Sequence, residues 1–555
     1  MMKFVLSCGC FLASLATATI AEETPIAHDS EYYILYAQLA EQWAEDNAAV
    51  DERVAAFRES NDGKAPNILY ILVDDIGFGD MGIPELNAVR GISTPNINTL
   101  SDQGMRMARM YTEPSCTPTR VAFSTGRLPV RMGMGDTTVD IAGFGLPDGE
   151  VTLAEVLKEA GYNTSHVGKW HMGDIAESWA MNQGFDYAVH PIHQQGQLTI
   201  YNDDAIREQV SVGISDFDPR YTLDQFFRPS ASAMVTGIEG VAGGPIREVA
   251  MEAGERFTAA KYDEMNERYQ RQAIEQLHEL SAKEEPFFLQ YWPLIPLDNT
   301  RAGRDGPESP NGGLYADKLQ LLDRWVGDIM AEMEALGVAD NTIVVLMGDN
   351  GHFTKYSPQS GFTSMVFRGG KGDTTEGGIR VDAFIRWPGV VGADTIINNI
   401  IHVSDLYTTL ARFAGAEGNI PRDRLVDGVD QSAAILIDDT KGRRDSLIVY
   451  SVATPKAIIK DQLKLNLPGP GESPILADFF NVFRDTHEKY PVSTEVGAWG
   501  GQEFVRILQR HMARKQKYPD TPPAFGVPYE GIENLRPETI AAVEVFQMKR
   551  AAPQQ

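Results

Sequence analysis

Cysteine is almost absent from this chain, with three among 555 residues. Two of them, Cys8 and Cys10, fall in the first 21 residues, which leaves Cys116 alone in the remainder. One cysteine cannot close an internal disulfide, so a disulfide-stapled scaffold is excluded. No CxxC or HExxH spacing occurs either, which removes the common zinc arrangements. Positive charge is also scarce: 49 Lys and Arg stand against 77 Asp and Glu, for a net charge of −28. A field of that sign disfavours nucleic acid and anionic membrane surfaces as partners. No apolar run after the start approaches the roughly 20 residues that span a bilayer, so no stable membrane anchor is expected.

The first 21 residues read as a secretion signal: Lys3, the short apolar stretch Phe4 to Leu15, then Thr19-Ile20-Ala21 as a small-residue cleavage site. A lipoprotein anchor at Cys8 or Cys10 is the rival, and neither has a convincing lipobox. The expectation is an exported protein, periplasmic or secreted. Nothing in the sequence sets its oligomeric state.

Periodicity divides the rest. Residues 22–65 read as a helical extension, with Tyr33, Leu35, Ala40, Trp43, Ala44 and Val50 at helical spacing. Residues 66–440 read as an α/β domain. Asn67 to Val73 is a continuous apolar run, as expected of a strand covered on both faces. Asn163 to Val167, Phe287 to Trp292, Thr342 to Met347 and Asp382 to Trp387 repeat the pattern, separated by helices at Thr152 to Ala160 and Leu319 to Leu336. This alternation predicts a large, mostly parallel sheet sandwiched by helices. Residues 188–260 read as a loop-rich insertion. Residues 441–555 read as a smaller α+β subdomain and tail, with antiparallel strands at Leu447 to Val452 and Ala457 to Leu465.

Polar residues follow the predicted strands. Asp74-Asp75 follows the first, Gly168-Lys169-Trp170-His171 another, and Gly348-Asp349-Asn350-Gly351 a third. Open parallel sheets bind ligands at these carboxyl ends. Each Asp or Asn alone reads best as a turn residue; several at equivalent places do not. Asp74, Asp75, Asp349 and Asn350 offer only oxygen, which favours calcium or magnesium over zinc. Three clustered carboxylates would repel one another without such an ion. Cys116 opens the segment Cys116-Thr117-Pro118-Thr119-Arg120, where a helix is predicted to run to Gly126. A helix start favours an anion, and Arg120 returns to the same face. A lone cysteine is most often an inert buried thiol, and this setting argues for chemistry instead.

That pentapeptide matches the C-x-P-x-R signature of the formylglycine-dependent sulfatases, and the run from Tyr111 to Arg131 resembles that family throughout. The resemblance extends from Asn67 to Gly389, through Gly369-Gly370-Lys371-Gly372 and Glu376-Gly377-Gly378-Ile379-Arg380, and more loosely over Asn481 to Asp485. It implies an alkaline-phosphatase-like fold and hydrolysis of an aryl, alkyl or carbohydrate sulfate. It further implies that Cys116 is oxidised to formylglycine by a maturating enzyme. The metal ligands would be Asp74, Asp75, Asp349, Asn350 and residue 116, with calcium the usual metal and magnesium the alternative. Arg120, Lys169, His171, Asp349 and Lys371 would be catalytic, with Lys169 and Lys371 on the sulfate of a small sulfated substrate.

One departure stands out. The family places a histidine after the strand Phe287 to Trp292, and Leu297 occupies that place here. Either Lys371 protonates the leaving group alone, or His352 or His193 reaches in, or the leaving group needs little help. His352 is the first candidate and is expected to face the substrate; His402 reads as structural. Two rival readings stay open: a phosphonate monoester or phosphodiester hydrolase of the same superfamily, where histidine replaces Asn350, and a non-catalytic sulfatase-like binding protein. Specificity is expected in the 188–260 insertion and the C-terminal tail; the insertion's aromatics, among them Tyr201, Phe217 and Phe226, read first as local core and second as a pocket lining.

Overall fold

The apolar run Asn67–Val73 is a strand buried at all seven positions. The computed structural model in which it is seen describes residues 25–136, 143–191, 235–250, 259–294, 314–352, 366–437, 440–468, 478–492 and 494–526. The expected signal, Leu297, His193 and most of the 188–260 stretch lie outside them.

A strand with no polar face must be covered twice, and this one is. It pairs in parallel with Thr342–Gly348 on one side and Phe287–Trp292 on the other. The full sheet has ten strands: Thr395–Ile397, Met105–Met107, Ala383–Arg386, Thr342–Gly348, Asn67–Val73, Phe287–Trp292, Asn163–Gly168, Tyr187–His190, Val235–Val241 and Ile246–Ala250. The five central strands from Thr342–Gly348 to Tyr187–His190 are all parallel, and antiparallel neighbours flank them, so the sheet is mixed. Ile68, Tyr70 and Leu72 join the core on one face, and Leu69, Ile71 and Val73 the core on the other. That is the two-residue alternation of a pleated strand. The helix Leu314–Ala335 covers the second face with Leu319, Leu322, Val326, Ile329 and Met333.

The helix Cys116–Thr125 lies against the first face and is buried at every position. It ends at Gly126 in the left-handed region, φ 67°. The expected helix near residue 152 forms as Leu153–Glu159, with Thr152 and Glu155 in a reciprocal capping box.

Two stretches differ in detail from the sequence reading. Val235–Val241 and Ile246–Ala250 form a hairpin that extends the main sheet from Tyr187–His190; the glycines at 237, 240, 243 and 244 hide it by imitating a loop. Ala457 to Leu465 is two strands, Thr454–Lys460 and Leu463–Asn466, divided at Asp461, whose φ is 51°. With Ser446–Ser451 and Phe479–Asn481 they make a four-stranded antiparallel sheet.

The helix Ser30–Ser60 buries Trp43, Asp46 and Val50. Its start is fastened to the helix Thr494–Lys517 by Glu31 against Arg510 at 2.6 Å and by Asp29 against His511. Among the described residues no helix is long and apolar enough to cross a membrane.

Candidate active site

Register builds the site. Val73 and Gly348 are partners in parallel strands, and Asp349 N donates to Val73 O at 2.9 Å. The residues that follow each strand therefore leave the sheet side by side. Asp75 N donates to Asp349 Oδ1 at 3.0 Å, and Asn350 Nδ2 donates to Asp75 Oδ1 at 2.8 Å. Asp74, Asp349 and Asn350 are wholly buried. Asn350 Oδ1 is buried with no hydrogen-bond partner among the described residues.

The first residue of the helix Cys116–Thr125 meets this group. Ligand atoms of Asp74, Cys116 and Asp349 lie within 4.8 Å of one another. Arg120, one helical turn on and fully buried, donates from Nη2 to Asp349 Oδ2 at 2.8 Å and from Nη1 to Lys169 O at 3.2 Å. It also reaches Asp74 Oδ1 at 3.4 Å, and its guanidinium lies 4.8 Å from the Trp292 ring centroid. The sequence reading missed Trp292, although it ends a central parallel strand and obeys the same rule as the aspartates.

Lys169 Nζ donates to Asp74 Oδ1, and Lys371 Nζ lies 2.9 Å from Asp75 Oδ1. Lys169 can turn towards Asp74 because Gly168 adopts φ 106°. A Cβ on Gly168 would sit 2.2 Å from Trp292 O, a backbone atom that cannot swing aside. Gly168→Ala is therefore expected to destabilise the protein by about 2–4 kcal/mol, read as a shift in denaturant midpoint, and to lower turnover by displacing Lys169.

The charges are mutually adjusted. Burial would raise the Asp74 carboxyl, but Lys169, Lys371 and Arg120 outweigh it and hold it well below the usual carboxylate range. Burial pushes Asp349 up to about 7, with the charge of Asp74 adding to it. Asp75 is raised as well, by burial and by Asp74, against the pull of Lys371. Burial and the cations Lys169, Arg120 and Lys371 press His171 far below its ordinary value, so its imidazole is neutral at pH 7. Burial also raises the Cys116 thiol despite Lys169 and Lys371. An unconverted cysteine here would be a protonated thiol and a poor nucleophile.

The donors fit a hard divalent cation. Asp74 and Asp349 present carboxylate oxygens, Asn350 an amide oxygen with no hydrogen-bond partner among the described residues, and Cys116 Sγ lies beside them. Two positive charges would also offset the burial, and after it the mutual repulsion, that raise Asp75 and Asp349.

His352 does not join the cluster as expected. Its ring lies against Gly77, with Nδ1 2.6 Å from where a Cβ on that glycine would be. Burial and then the charge of Arg90 press it down to about 4, and neither ring nitrogen has a hydrogen-bond partner among the described residues. Its backbone is what serves the site, because Lys371 N donates to His352 O at 3.0 Å. Sequence position two residues after Asn350 carried no information on where the ring points. His402 is buried, with Nδ1 2.8 Å from Ser404 Oγ and Nε2 3.7 Å from Glu113.

Comparison with known proteins agrees with this geometry. The Sulfatase family model matches residues 66–416. Human arylsulfatase A is 33% identical over 395 residues, covering 70% of this chain and 71% of that protein. Dog N-acetylgalactosamine-6-sulfatase is 28% identical over 495 residues, covering 80% and 84%. Among solved structures, the PsFucS1 sulfatase from Pseudoalteromonas sp. superposes with a TM-score of 0.75 at 26% identity, covering 86% of this chain and 96% of that one. The fold is accordingly the alkaline-phosphatase-like one of those enzymes. The chain belongs to the sulfatase family, the hydrolases of sulfate esters.

Proposed function

We propose that this protein cleaves a small sulfate ester to an alcohol and inorganic sulfate, with residue 116 converted to formylglycine. In this reading Asp74, Asp75, Asp349, Asn350 and residue 116 hold a divalent cation, calcium foremost and magnesium as the alternative. The observation that carries it is the meeting of Asp74, Cys116 and Asp349 within 4.8 Å beside the unpartnered Asn350 Oδ1.

When present, the cation and the hydrated aldehyde supply Lewis-acid polarisation and a nucleophilic hydroxyl with a second hydroxyl beside it. The remaining work belongs to the chain. Arg120 fixes the Asp349 carboxylate, which accepts a proton at an oxygen. Lys169 and Lys371 face the sulfuryl oxygens and offset the charge that grows on them, the preorganised term that is usually the largest. His171, held neutral, accepts the second proton at a ring nitrogen. In this reading Lys371 protonates the leaving oxygen, and the His352 ring, which lies against Gly77, is given no part in that step. The protein acts outside the cytoplasm, and its maturating enzyme must reach Cys116 before folding buries it completely.

Peptide mass spectrometry across residue 116 tests the conversion: an aldehyde is expected, and a thiol in active enzyme would refute it. Removing the cation with a chelator is expected to cut turnover about a hundredfold or more. It should also lower stability, and calcium at a hundred times its Kd should restore about 2.7 kcal/mol. Calcium-independent stability and rate would eliminate the metal. Faster hydrolysis of an aryl phosphonate than of an aryl sulfate would favour the rival superfamily reading.

A further inference from the structure

Lys371 sits in a loop that cannot place it unaided. Gly369, Gly370 and Gly372 surround it, and glycine-rich backbone has the most freedom to lose. The position of Lys371 Nζ on Asp75 therefore depends on restraints that reduce this freedom. Part of that restraint is local: Lys371 N donates to His352 O at 3.0 Å and Gly372 N to Pro114 O at 2.6 Å.

The loop also closes on itself, Gly377 N donating to Arg368 O at 2.8 Å and Asp373 N to Gly370 O at 2.9 Å, and the small antiparallel sheet with the segment after it holds that closure from outside. Before the loop, Arg368 N donates to Thr486 O at 3.4 Å and Arg368 Nη1 to Glu488 O at 3.1 Å. After it, Glu376 N donates to Glu488 Oε1 at 2.7 Å. Lys464, on the strand Leu463–Asn466, lies between the two carboxylates, 3.4 Å from Glu376 Oε1 and 3.2 Å from Glu488 Oε1. All three side chains are fully buried. The other oxygen of Glu376 accepts from Tyr111 OH at 2.9 Å and lies 3.5 Å from Arg380. Tyr111 begins the segment that leads to Cys116. One carboxylate thus joins the approach to Cys116 to the loop of Lys371, and a lysine from another sheet holds it there.

Buried ion pairs add little net stability, because desolvation offsets their attraction; what they provide is a fixed arrangement. We propose that Lys464 and Glu488 are positioning residues for Lys371: the C-terminal sheet locks both ends of the Lys371 loop and so sets the lysine against the sulfate. This inference rests on the sulfatase reading above.

The double variant Lys464→Met/Glu488→Gln removes one charge of each sign and leaves Glu376 with Arg380 and Tyr111. On an aryl sulfate its kcat should fall about tenfold to a hundredfold, with KM changed less than about twofold. Amide exchange in 368–377 should quicken while that of Asn67–Val73 stays as in the wild type. Lys464→Arg should keep kcat closer to wild type than Lys464→Met does. A folded double variant with wild-type kcat and wild-type exchange would overturn the proposal. So would exchange that quickens equally in Asn67–Val73, which would mark a general loss of stability. If the double variant does not fold, wild-type exchange decides: 368–377 opening together with 463–488 supports the lock, and independent opening of 368–377 overturns it. Wild-type protein inactive on every sulfate ester would instead sink the functional reading, and the exchange measurement would still judge the lock.

Discussion

Cys116→Ser lowers turnover by about 10⁴-fold or more while the fold survives, as expected for loss of a nucleophile from a group that acts as a unit. The substitution exchanges one small buried atom for another at the start of a helix and creates no cavity of consequence. Lys169, Lys371, Asp74 and Asp349 keep their partners, so sulfate binding should persist. The serine has one hydroxyl. Its Oγ can attack sulfur as the ester oxygen departs with a proton, but it has no second hydroxyl with which to expel the sulfate. The expected product is a single turnover that leaves residue 116 sulfated, visible in the mass of its peptide. Repeated turnover by the serine enzyme would refute the proposed chemistry.

Arg120→Met has the largest expected effect on stability. The guanidinium, fully buried, answers Asp349, Asp74 and the Lys169 carbonyl. Removing it strands buried carboxylates, which typically costs about 3–5 kcal/mol. The loss is read as the shift of the denaturant midpoint, and a change below about 1 kcal/mol would show that Arg120 does not carry the network. Activity should fall about 10²–10³-fold, because Asp349 is no longer held and a preorganised positive charge is lost. Lysine should not rescue it, since one ammonium cannot reproduce the planar fork over Trp292.

The parts of this architecture that were legible in the sequence share a physical reason. Asn67–Val73 is apolar throughout because both faces are covered, and its boundaries could be read from the run itself. The polar residues just beyond such strands stood out because nothing else there is polar. Burial of the whole helix Cys116–Thr125 left its start and its glycine stop unobscured. The illegible parts depend on distant partners. Lys464 reads as an ordinary solvent-facing lysine in an alternating strand, and its burial rests on Glu376 and Glu488, 88 and 24 residues away. The ring of His352 turns towards Gly77, a choice of rotamer that no spacing encodes. The hairpin at 235–250 was hidden by its own glycines.

The clasp between the first and last described helices sets a timetable. Glu31 and Asp29 leave the ribosome early, but Arg510 and His511 follow 479 and 482 residues later. At ~5–20 residues per second that interval is roughly 25 to 100 s. Throughout it the opening helix lacks these two partners, although Asp29 also lies 4.0 Å from Arg131. Cys116 is synthesised near the beginning of this interval, so under the proposed conversion of residue 116 the thiol is made long before the clasp can close.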